Sequence, residues 1–161
     1  MMRVSEAAQA LGARYTGGDA EFRAVSTDSR AIKRGDLFVA LKGERFDGHA
    51  FLAQAEAAGA AGVLVASASR DARLPQIVVE DTLNALGRLG NHWRRQLRTP
   101  LVALTGSNGK TTVKEMLASI LRAAGADDAV LATRRNLNND IGVPLTLLRL
   151  EKSHQVAVLE A

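Results

Sequence analysis

The stretch Leu101-Val102-Ala103-Leu104-Thr105-Gly106-Ser107-Asn108-Gly109-Lys110-Thr111-Thr112 decides the fold of this chain. Four apolar residues at its start predict a buried strand, and the pattern from Lys110 to Ala124 predicts a helix. A glycine loop between a strand and a helix can bind phosphate, because backbone N–H groups and the helix N-terminus face the anion. The stretch therefore predicts the start of a mononucleotide-binding P-loop domain with a parallel sheet.

The loop residues are the candidate nucleotide ligands. We assign this role to Gly106, Ser107, Asn108, Gly109, Lys110, Thr111 and Thr112. The lysine can reach the β and γ phosphates as a point charge, and the Thr111 hydroxyl is placed to coordinate Mg²⁺. The common pattern has a glycine at the position of Leu104, and here the first glycine is Gly106, so the loop is a shortened variant. A chance glycine turn is the alternative.

Glu160 is the second candidate for the same site. It follows the apolar run Val156-Ala157-Val158-Leu159, which predicts a strand. The carboxyl end of a parallel strand faces the crevice where a phosphate loop lies, so Glu160 is a candidate Mg²⁺ ligand together with Thr111. We expect Lys110 and Glu160 to be the catalytic residues. An exposed glutamate at a strand end is the other interpretation.

Outside this stretch, predicted strands and helices alternate, which indicates an α/β fold. The break at Arg98-Thr99-Pro100 predicts a boundary between a domain of residues 1–98 and a second, incomplete one of residues 99–161. Helices are predicted at 4–11, 50–58, from 82 onward, and at 144–150; further strands are predicted at 37–41, 63–66, 76–79, 130–132 and 156–159. The third of these helices has an apolar face formed by Leu83, Leu86, Leu89, Trp93 and Leu97, which makes Trp93 a core residue.

Composition excludes several classes of protein. The chain has 47% hydrophobic residues, which suits a globular protein, and 4% aromatic residues, which argues against base stacking and hence against nucleic-acid binding. It has 0 cysteines, so disulfides and thiolate metal sites are impossible. Neither a signal peptide nor a membrane span is visible, so we expect a cytoplasmic protein without membrane insertion. Separately, we expect a monomer. The net charge of +4 suits anionic small ligands and equally an ordinary solvated surface.

Two further groups of polar residues stand out. Asn136, Asn138, Asn139 and Asp140 precede the helix predicted at 144–150, and four such side chains exceed what capping requires. His49 precedes the helix predicted at 50–58, where capping or simple exposure would also explain it.

Together these residues resemble the Mur ligases of peptidoglycan synthesis. The resemblance is carried by TGSNGKTT at 105–112, TDSR at 27–30, DLFVALKGERFDGH at 36–49, and residues 136–150. It implies a small N-terminal α/β UDP-substrate-binding domain followed by the first part of the ATP-binding domain. It also implies contacts with the UDP end of the substrate for Thr27, Ser29, Glu44, Arg45, Phe46, Asp47 and His49. Asn139 would contact the nucleotide, Asn138 and Asp140 would line its junction with the substrate, and Glu160 would hold Mg²⁺.

Among the Mur ligases, the resemblance is strongest to the member that adds D-alanyl-D-alanine to a UDP-N-acetylmuramoyl tripeptide. It implies ATP and Mg²⁺ as cofactors and an acyl phosphate intermediate. Members of the family also have the rest of the central ATPase domain, which contains a modified lysine near Mg²⁺, and a C-terminal domain that receives the amino substrate. We therefore expect residues 1–161 alone to be inactive. The alternatives are the sister ligase that adds the third amino acid and a P-loop nucleotide-binding module that is not a ligase.

Overall fold

The computed structural model describes residues 1–44, 46–134 and 137–161. Within them the chain divides into two compact units, Met1–Leu89 and Gly90–Ala161. The strands of the first unit are β1 (Met2–Arg3), β2 (Arg14–Thr16), β3 (Glu21–Phe22), β4 (Ala24–Ser26), β5 (Asp36–Val39), β6 (Gly62–Val65) and β7 (Gln76–Val78). Its helices are α1 (Val4–Leu11) and α2 (Leu52–Ala57), and α3 (Thr82–Gln96) begins in this unit and ends in the next.

The first unit is built on a five-stranded sheet in the order β2-β7-β6-β5-β4. All neighbours are parallel except β2, which pairs antiparallel with β7. Every residue of β5, β6 and β7 is buried, as expected for parallel strands covered on both faces. Leu52 and Ala55 of α2 pack on Phe38 and Val63 of this sheet.

The second unit contains the phosphate-loop stretch. Its elements are β8 (Leu101–Leu104), α4 (Lys110–Leu121), β9 (Val130–Ala132), α5 (Gly142–Leu147) and β10 (Val156–Glu160). The strands form a parallel sheet in the order β8-β10-β9. Glu160 pairs in register with Leu104, so the last residue of β10 lies beside the last residue before the glycine loop. The topology therefore brings Glu160 close to the start of the glycine loop.

Trp93 belongs to the core of the second unit. Its indole packs against a cluster that includes Leu131 and Leu150. The indole Nε1–H donates a hydrogen bond of 2.9 Å to the carbonyl oxygen of Leu150, which satisfies the only polar atom of the ring. This agrees with the core role expected from its position on the helix.

The predicted elements correspond closely to the observed ones, with differences at the ends. The helix at Val4–Leu11 and the strands at Leu101–Leu104 and Val130–Ala132 have the predicted bounds. The helix predicted for 110–124 leaves α-helical geometry after Leu121 and continues as a π-helical turn. Leu83 is exposed, so the apolar face of α3 begins one turn later than predicted. No helix in the described part of the chain is long and apolar enough to cross a membrane.

Candidate nucleotide site

The glycine loop joins β8 to α4 through two backbone conformations that favour glycine. Gly106 has a φ of 142° and Gly109, immediately before α4, has a φ of 77°. A Cβ at either position would meet nothing within 4 Å, so conformation rather than crowding requires glycine here. The open space lies where the first N–H groups of α4 lack intrahelical partners. The loop therefore leaves room for a ligand against a helix N-terminus.

Six of the seven predicted loop residues, all except Gly106, line one cavity. It has a volume of about 230 Å³ and is lined by Ser107, Asn108, Gly109, Lys110, Thr111, Thr112 and Glu160. The ammonium of Lys110 donates a 2.6 Å hydrogen bond to the carbonyl oxygen of Gly106, across the loop. Two charged residues, Lys110 and Glu160, line this cavity, and the lysine together with the N-terminus of α4 provides the positive side that an anion site requires.

Glu160 is buried at the end of β10, with 2% of its surface exposed. The Thr111 hydroxyl donates to its carboxylate, 2.9 Å from Oε1 and 3.0 Å from Oε2. The Asn138 amide donates to Oε1 over 2.9 Å, and the backbone N–H of Glu160 donates to the Thr133 hydroxyl over 3.0 Å. The interpretation of Glu160 as an exposed strand end is therefore wrong, because side chains from α4 and from the Asn-rich segment (137–140) both donate to its carboxylate.

The surroundings of Glu160 favour the ionised carboxylate. Burial alone raises the pKa of its carboxyl group, because a low-dielectric environment disfavours charge. The hydrogen bonds from Asn138 and Thr111, together with the charges of Lys114 and Lys110, act in the opposite direction and prevail. The net pKa of Glu160 lies below its ordinary value, so the group is an anionic oxygen ligand at neutral pH.

Neighbouring residues of the Asn-rich segment make different contacts. Asn138 contacts Glu160, whereas the Asn139 side-chain oxygen accepts hydrogen bonds from the N–H groups of Gly142, at 2.8 Å, and Ile141, at 3.3 Å. Asn139 therefore caps the start of α5. Asp140 is exposed beside it. Asn136 lies outside the described residues.

In the first unit, the candidate substrate residues follow the carboxyl ends of two parallel neighbours, β4 and β5. Thr27 and Ser29 lie in the turn after β4, where Arg30 forms a paired contact with Asp28. The guanidinium donates over 2.9 Å and 2.8 Å to the two carboxylate oxygens. These hydrogen bonds hold the pKa of Asp28 at about 2, below its ordinary value of 3.8. The turn thus has a fixed shape at the sheet edge where ligands of such sheets bind.

The loop after β5 carries the other candidates of this unit. Glu44 and Phe46 are exposed, and Phe46 stacks on Phe51 with ring centres 5.6 Å apart. Asp47 accepts hydrogen bonds from the backbone N–H of His49 at 3.0 Å and from its ring Nδ1 at 2.6 Å. Arg45 lies outside the described residues. The exposed side chains of the loop are available to a ligand.

His49 is engaged at both ring nitrogens. The backbone N–H of Ala66, directly after β6, donates to Nε2 over 2.8 Å, so that nitrogen carries the lone pair and Nδ1 carries the proton that faces Asp47. The imidazole therefore ties the loop after β5 to the end of β6. Loop closure is the role that these contacts give His49 within the unit, and the side chain that caps the following helical turn is that of Asp47.

Comparison with known protein families decides the family. Residues 21–94 match the model described as the Mur ligase family catalytic domain, and residues 104–161 match the Mur ligase middle domain. The chain belongs to the Mur ligase family. Two models of that family match in the expected order along this Mur ligase chain, and the second begins at Leu104, at the end of β8.

Individual relatives agree with this assignment. The UDP-N-acetylmuramoyl-tripeptide–D-alanyl-D-alanine ligase of Escherichia coli is 50% identical over 157 residues, which cover 98% of this chain and 34% of that protein. A solved structure of the UDP-N-acetylmuramoylalanyl-D-glutamyl-2,6-diaminopimelate–D-alanyl-D-alanyl ligase of Acinetobacter baumannii matches with a TM-score of 0.86 and 45% identity. The match covers 99% of this chain and 36% of that one. The MurF ligase of Thermotoga maritima in complex with ADP matches with a TM-score of 0.74 and 33% identity, over 86% of this chain and 31% of that one. This Mur ligase chain spans about a third of the length of these relatives.

Lys114 is the residue of this Mur ligase site that the sequence reasoning missed. Its side chain lies one turn beyond Lys110 on α4 and is fully buried. Its Nζ is 3.7 Å from Oε2 of Glu160 and 3.0 Å from Oε1 of Glu115. The signal was its spacing of four residues from Lys110 and three from Thr111, which places all three side chains on one side of a helix.

Proposed function

We propose that the protein containing this chain is an ATP-dependent ligase that adds D-alanyl-D-alanine to a UDP-N-acetylmuramoyl tripeptide in peptidoglycan synthesis. One observation carries the substrate assignment: the 50% identity to the Escherichia coli enzyme of that name extends over 98% of the chain. The likeness therefore includes both the phosphate loop and the segments before and after it. We further propose that the enzyme acts in the cytoplasm as a monomer.

The nucleotide part of the proposal rests on the geometry of the second unit. The loop Gly106–Thr112 would hold the ATP polyphosphate, with backbone N–H groups and the α4 N-terminus facing its oxygens. In the described part of the chain, the ammonium of Lys110 has one hydrogen bond to give up, to the carbonyl oxygen of Gly106, to reach a phosphate. In this scheme residues 99–161 are the first part of the ATP-binding domain.

The residues around Glu160 fit a magnesium ion. Thr111 and Glu160 offer a hydroxyl and a carboxylate on the same cavity, and both are the hard oxygen ligands that Mg²⁺ prefers. Among the described residues no three His, Asp or Glu side chains form a cluster, and Mg²⁺ commonly takes one or two protein ligands and completes its shell with phosphate and water. When bound there, the ion would neutralise charge on the transferring phosphoryl group.

The proposed reaction has two steps. In the first, an oxygen of the tripeptide carboxylate attacks the γ phosphorus of ATP, and ADP leaves. In the second, the amine of D-alanyl-D-alanine attacks the acyl carbon and phosphate leaves as the amide forms. Lys110 would stabilise the first transition state, because the phosphoryl group in flight spreads negative charge over its oxygens. Asn138 and Asn139 would shape the junction with the substrate through Glu160 and α5, and Asp140 is an exposed candidate beside them.

The substrate part of the proposal concerns residues 1–98. We place the UDP end at the edge of the five-stranded sheet where Thr27, Ser29 and the loop from Glu44 to His49 follow neighbouring parallel strands. Carboxyl ends of such strands are the usual ligand edge. The exposed ring of Phe46 offers an apolar surface there, and Asp47 and His49 hold the loop in shape.

Calorimetric titration tests the proposal. We expect this chain to bind the UDP-muramoyl tripeptide and, in a separate experiment, ATP with Mg²⁺. We expect the full-length protein to form product with D-alanyl-D-alanine. Failure to bind the sugar nucleotide would favour a P-loop module that is not a ligase. Product formed from the UDP-muramoyl dipeptide and a diamino acid, and not from the tripeptide, would identify the sister ligase instead.

A further inference from the structure

Lys114 places a positive charge deep within the nucleotide site without lining its cavity. The side chain has 0% exposure, and among the described residues its Nζ has no partner with hydrogen-bond geometry, although Glu115 Oε1 is 3.0 Å away. Burying an ammonium group without hydrogen bonds is costly, and an apolar residue of the same length would normally be more stable. The cost indicates a role for the charge itself.

That charge acts through Glu160. Nζ lies 3.7 Å from Oε2, while Thr111 and Asn138 bind the same carboxylate. Thr111 and Glu160 line the cavity, whereas Lys114 does not. Lys114 is thus a positioning residue, which reaches the ligand side of the site only through the carboxylate in front of it.

The fixed charges of the site are unbalanced. Lys110 and Lys114 each carry a positive charge, and among the residues that the structure describes Glu160 is the one buried carboxylate beside them. Glu115 also approaches Lys114, but its side chain is 61% exposed and water screens its charge. A divalent cation that approaches Thr111 and Glu160 without nucleotide therefore meets a net positive field. The polyphosphate of a nucleotide reverses the sign of that field.

We propose that Lys114 makes divalent-cation binding at Thr111 and Glu160 depend on bound nucleotide. The inference rests on the proposed nucleotide site and adds an order of binding to it: the cation enters with the polyphosphate and not before it. The buried lysine offsets the negative charge of Glu160 until the phosphates arrive. Because Lys114 lies behind the carboxylate, it does this without occupying the position of either ligand.

The test measures Mn²⁺ binding to the full-length protein by the electron paramagnetic resonance signal of the free ion. Titrations are run without nucleotide and with a saturating non-hydrolysable ATP analogue, and the analogue without protein is titrated as a blank because its phosphates also bind Mn²⁺. We expect wild type to bind Mn²⁺ at least ~10-fold more weakly without the analogue, from the size of Coulomb energies at these separations. Lys114→Met should bind Mn²⁺ without nucleotide at least ~10-fold more tightly than wild type.

Matched variants separate charge from structure. Lys114→Arg keeps the charge and should retain the wild-type dependence on the analogue, whereas Lys114→Gln removes the charge, keeps polarity and should behave as Lys114→Met does. Glu160→Gln should lose the site in both titrations. Thermal melts of each variant show whether it folds, and either folded neutral variant, Lys114→Met or Lys114→Gln, is enough to decide.

Three results would overturn the inference. They are equal Mn²⁺ affinity of wild type with and without the analogue, unchanged nucleotide-free affinity in a folded neutral variant, and loss of the dependence in a folded Lys114→Arg. Failure of wild type to bind the ATP analogue at all would instead refute the proposed nucleotide site.

Discussion

At the scale of single residues, the nucleotide site depends on a few side chains with very different surroundings. Among the described residues Lys110 donates a hydrogen bond to one loop carbonyl, while Glu160 is held by two side chains that come from distant parts of the chain. A residue with few protein contacts can be removed without loss of the fold, and one with many cannot. A substitution at Lys110 is therefore the best test of the catalytic role, because it should change activity without unfolding the protein.

We expect Lys110→Ala in the full-length enzyme to lower turnover at least ~100-fold, because it removes a charge that stabilises the phosphoryl transition state. The melting temperature should stay close to that of wild type, since the side chain makes one hydrogen bond to its own loop. Steady-state kinetics and a thermal melt measure the two quantities. Wild-type turnover in this variant would rule out the role assigned to the lysine.

A second prediction at this scale concerns the turn after β4. Hydrogen bonds from Arg30 hold the pKa of Asp28 at about 2, so Arg30→Gln should raise that pKa toward 3.8. Because the folded pKa is the lower one, the ionised Asp28 stabilises the fold fully above its ordinary pKa, and the contribution is lost as pH falls through about 2. NMR titration of the Asp28 carboxyl carbon measures the shift. An unchanged pKa in Arg30→Gln would show that the pair does not form in solution.

At the scale of elements, α4 departs from the usual pattern of a helix packed on a sheet. Lys114 and Ala118 face inward, while Val113, Met116 and Ile120 are among the exposed apolar residues. Pattern reasoning would have placed the apolar residues inward. The glycine loop sets the start of this helix, and the contact of Thr111 with Glu160 determines which side faces β10.

The short helix α5 gives the prediction at this scale. Its start is capped by the side-chain oxygen of Asn139, so Asn139→Ala should lower the free energy of unfolding of the second unit by about 1 kcal/mol. Asn139→Asp keeps the acceptor oxygen and serves as the control, with stability close to wild type. Urea denaturation followed by Trp93 fluorescence reports on this unit, because the indole packs in its core. Equal loss in both variants would argue against a capping role.

At the scale of the whole molecule, the two proposed ligand sites lie in separate compact units. Phe46 and the rest of the sheet-edge loop lie in Met1–Leu89, and the phosphate loop lies in Gly90–Ala161. The five-stranded sheet and the β1-β3 pair belong to the first unit, and the three-stranded sheet belongs to the second. Changes in one proposed site should therefore leave the other intact.

A pair of variants tests this separation by calorimetry. Phe46→Ala should weaken binding of the UDP-muramoyl tripeptide on the order of tenfold, within the range that stacking on an aromatic ring contributes, and should not change ATP binding. Lys110→Ala should weaken ATP binding and leave the sugar nucleotide unaffected. Phe46 is 48% exposed, so its removal should not disturb the core. Loss of both ligands in either variant would contradict separate sites.

The sequence by itself determined the parts that depend on neighbouring residues. The strand at 101–104, the glycine loop and the start of α4 all follow from residues close together in the chain. Backbone preferences and apolar periodicity act over a few residues, so they can be recognised without a fold.

Only the tertiary structure decided how the site is assembled. Thr111 and Glu160 are 49 residues apart and Asn138 and Glu160 are 22 apart, so their contacts exist only once β10 lies between β8 and β9. The same packing buried Lys114 and gave Asn138 rather than Asn139 the contact with the carboxylate. Burial and electrostatic pairing are properties of positions in space, and no local pattern of residues specifies them.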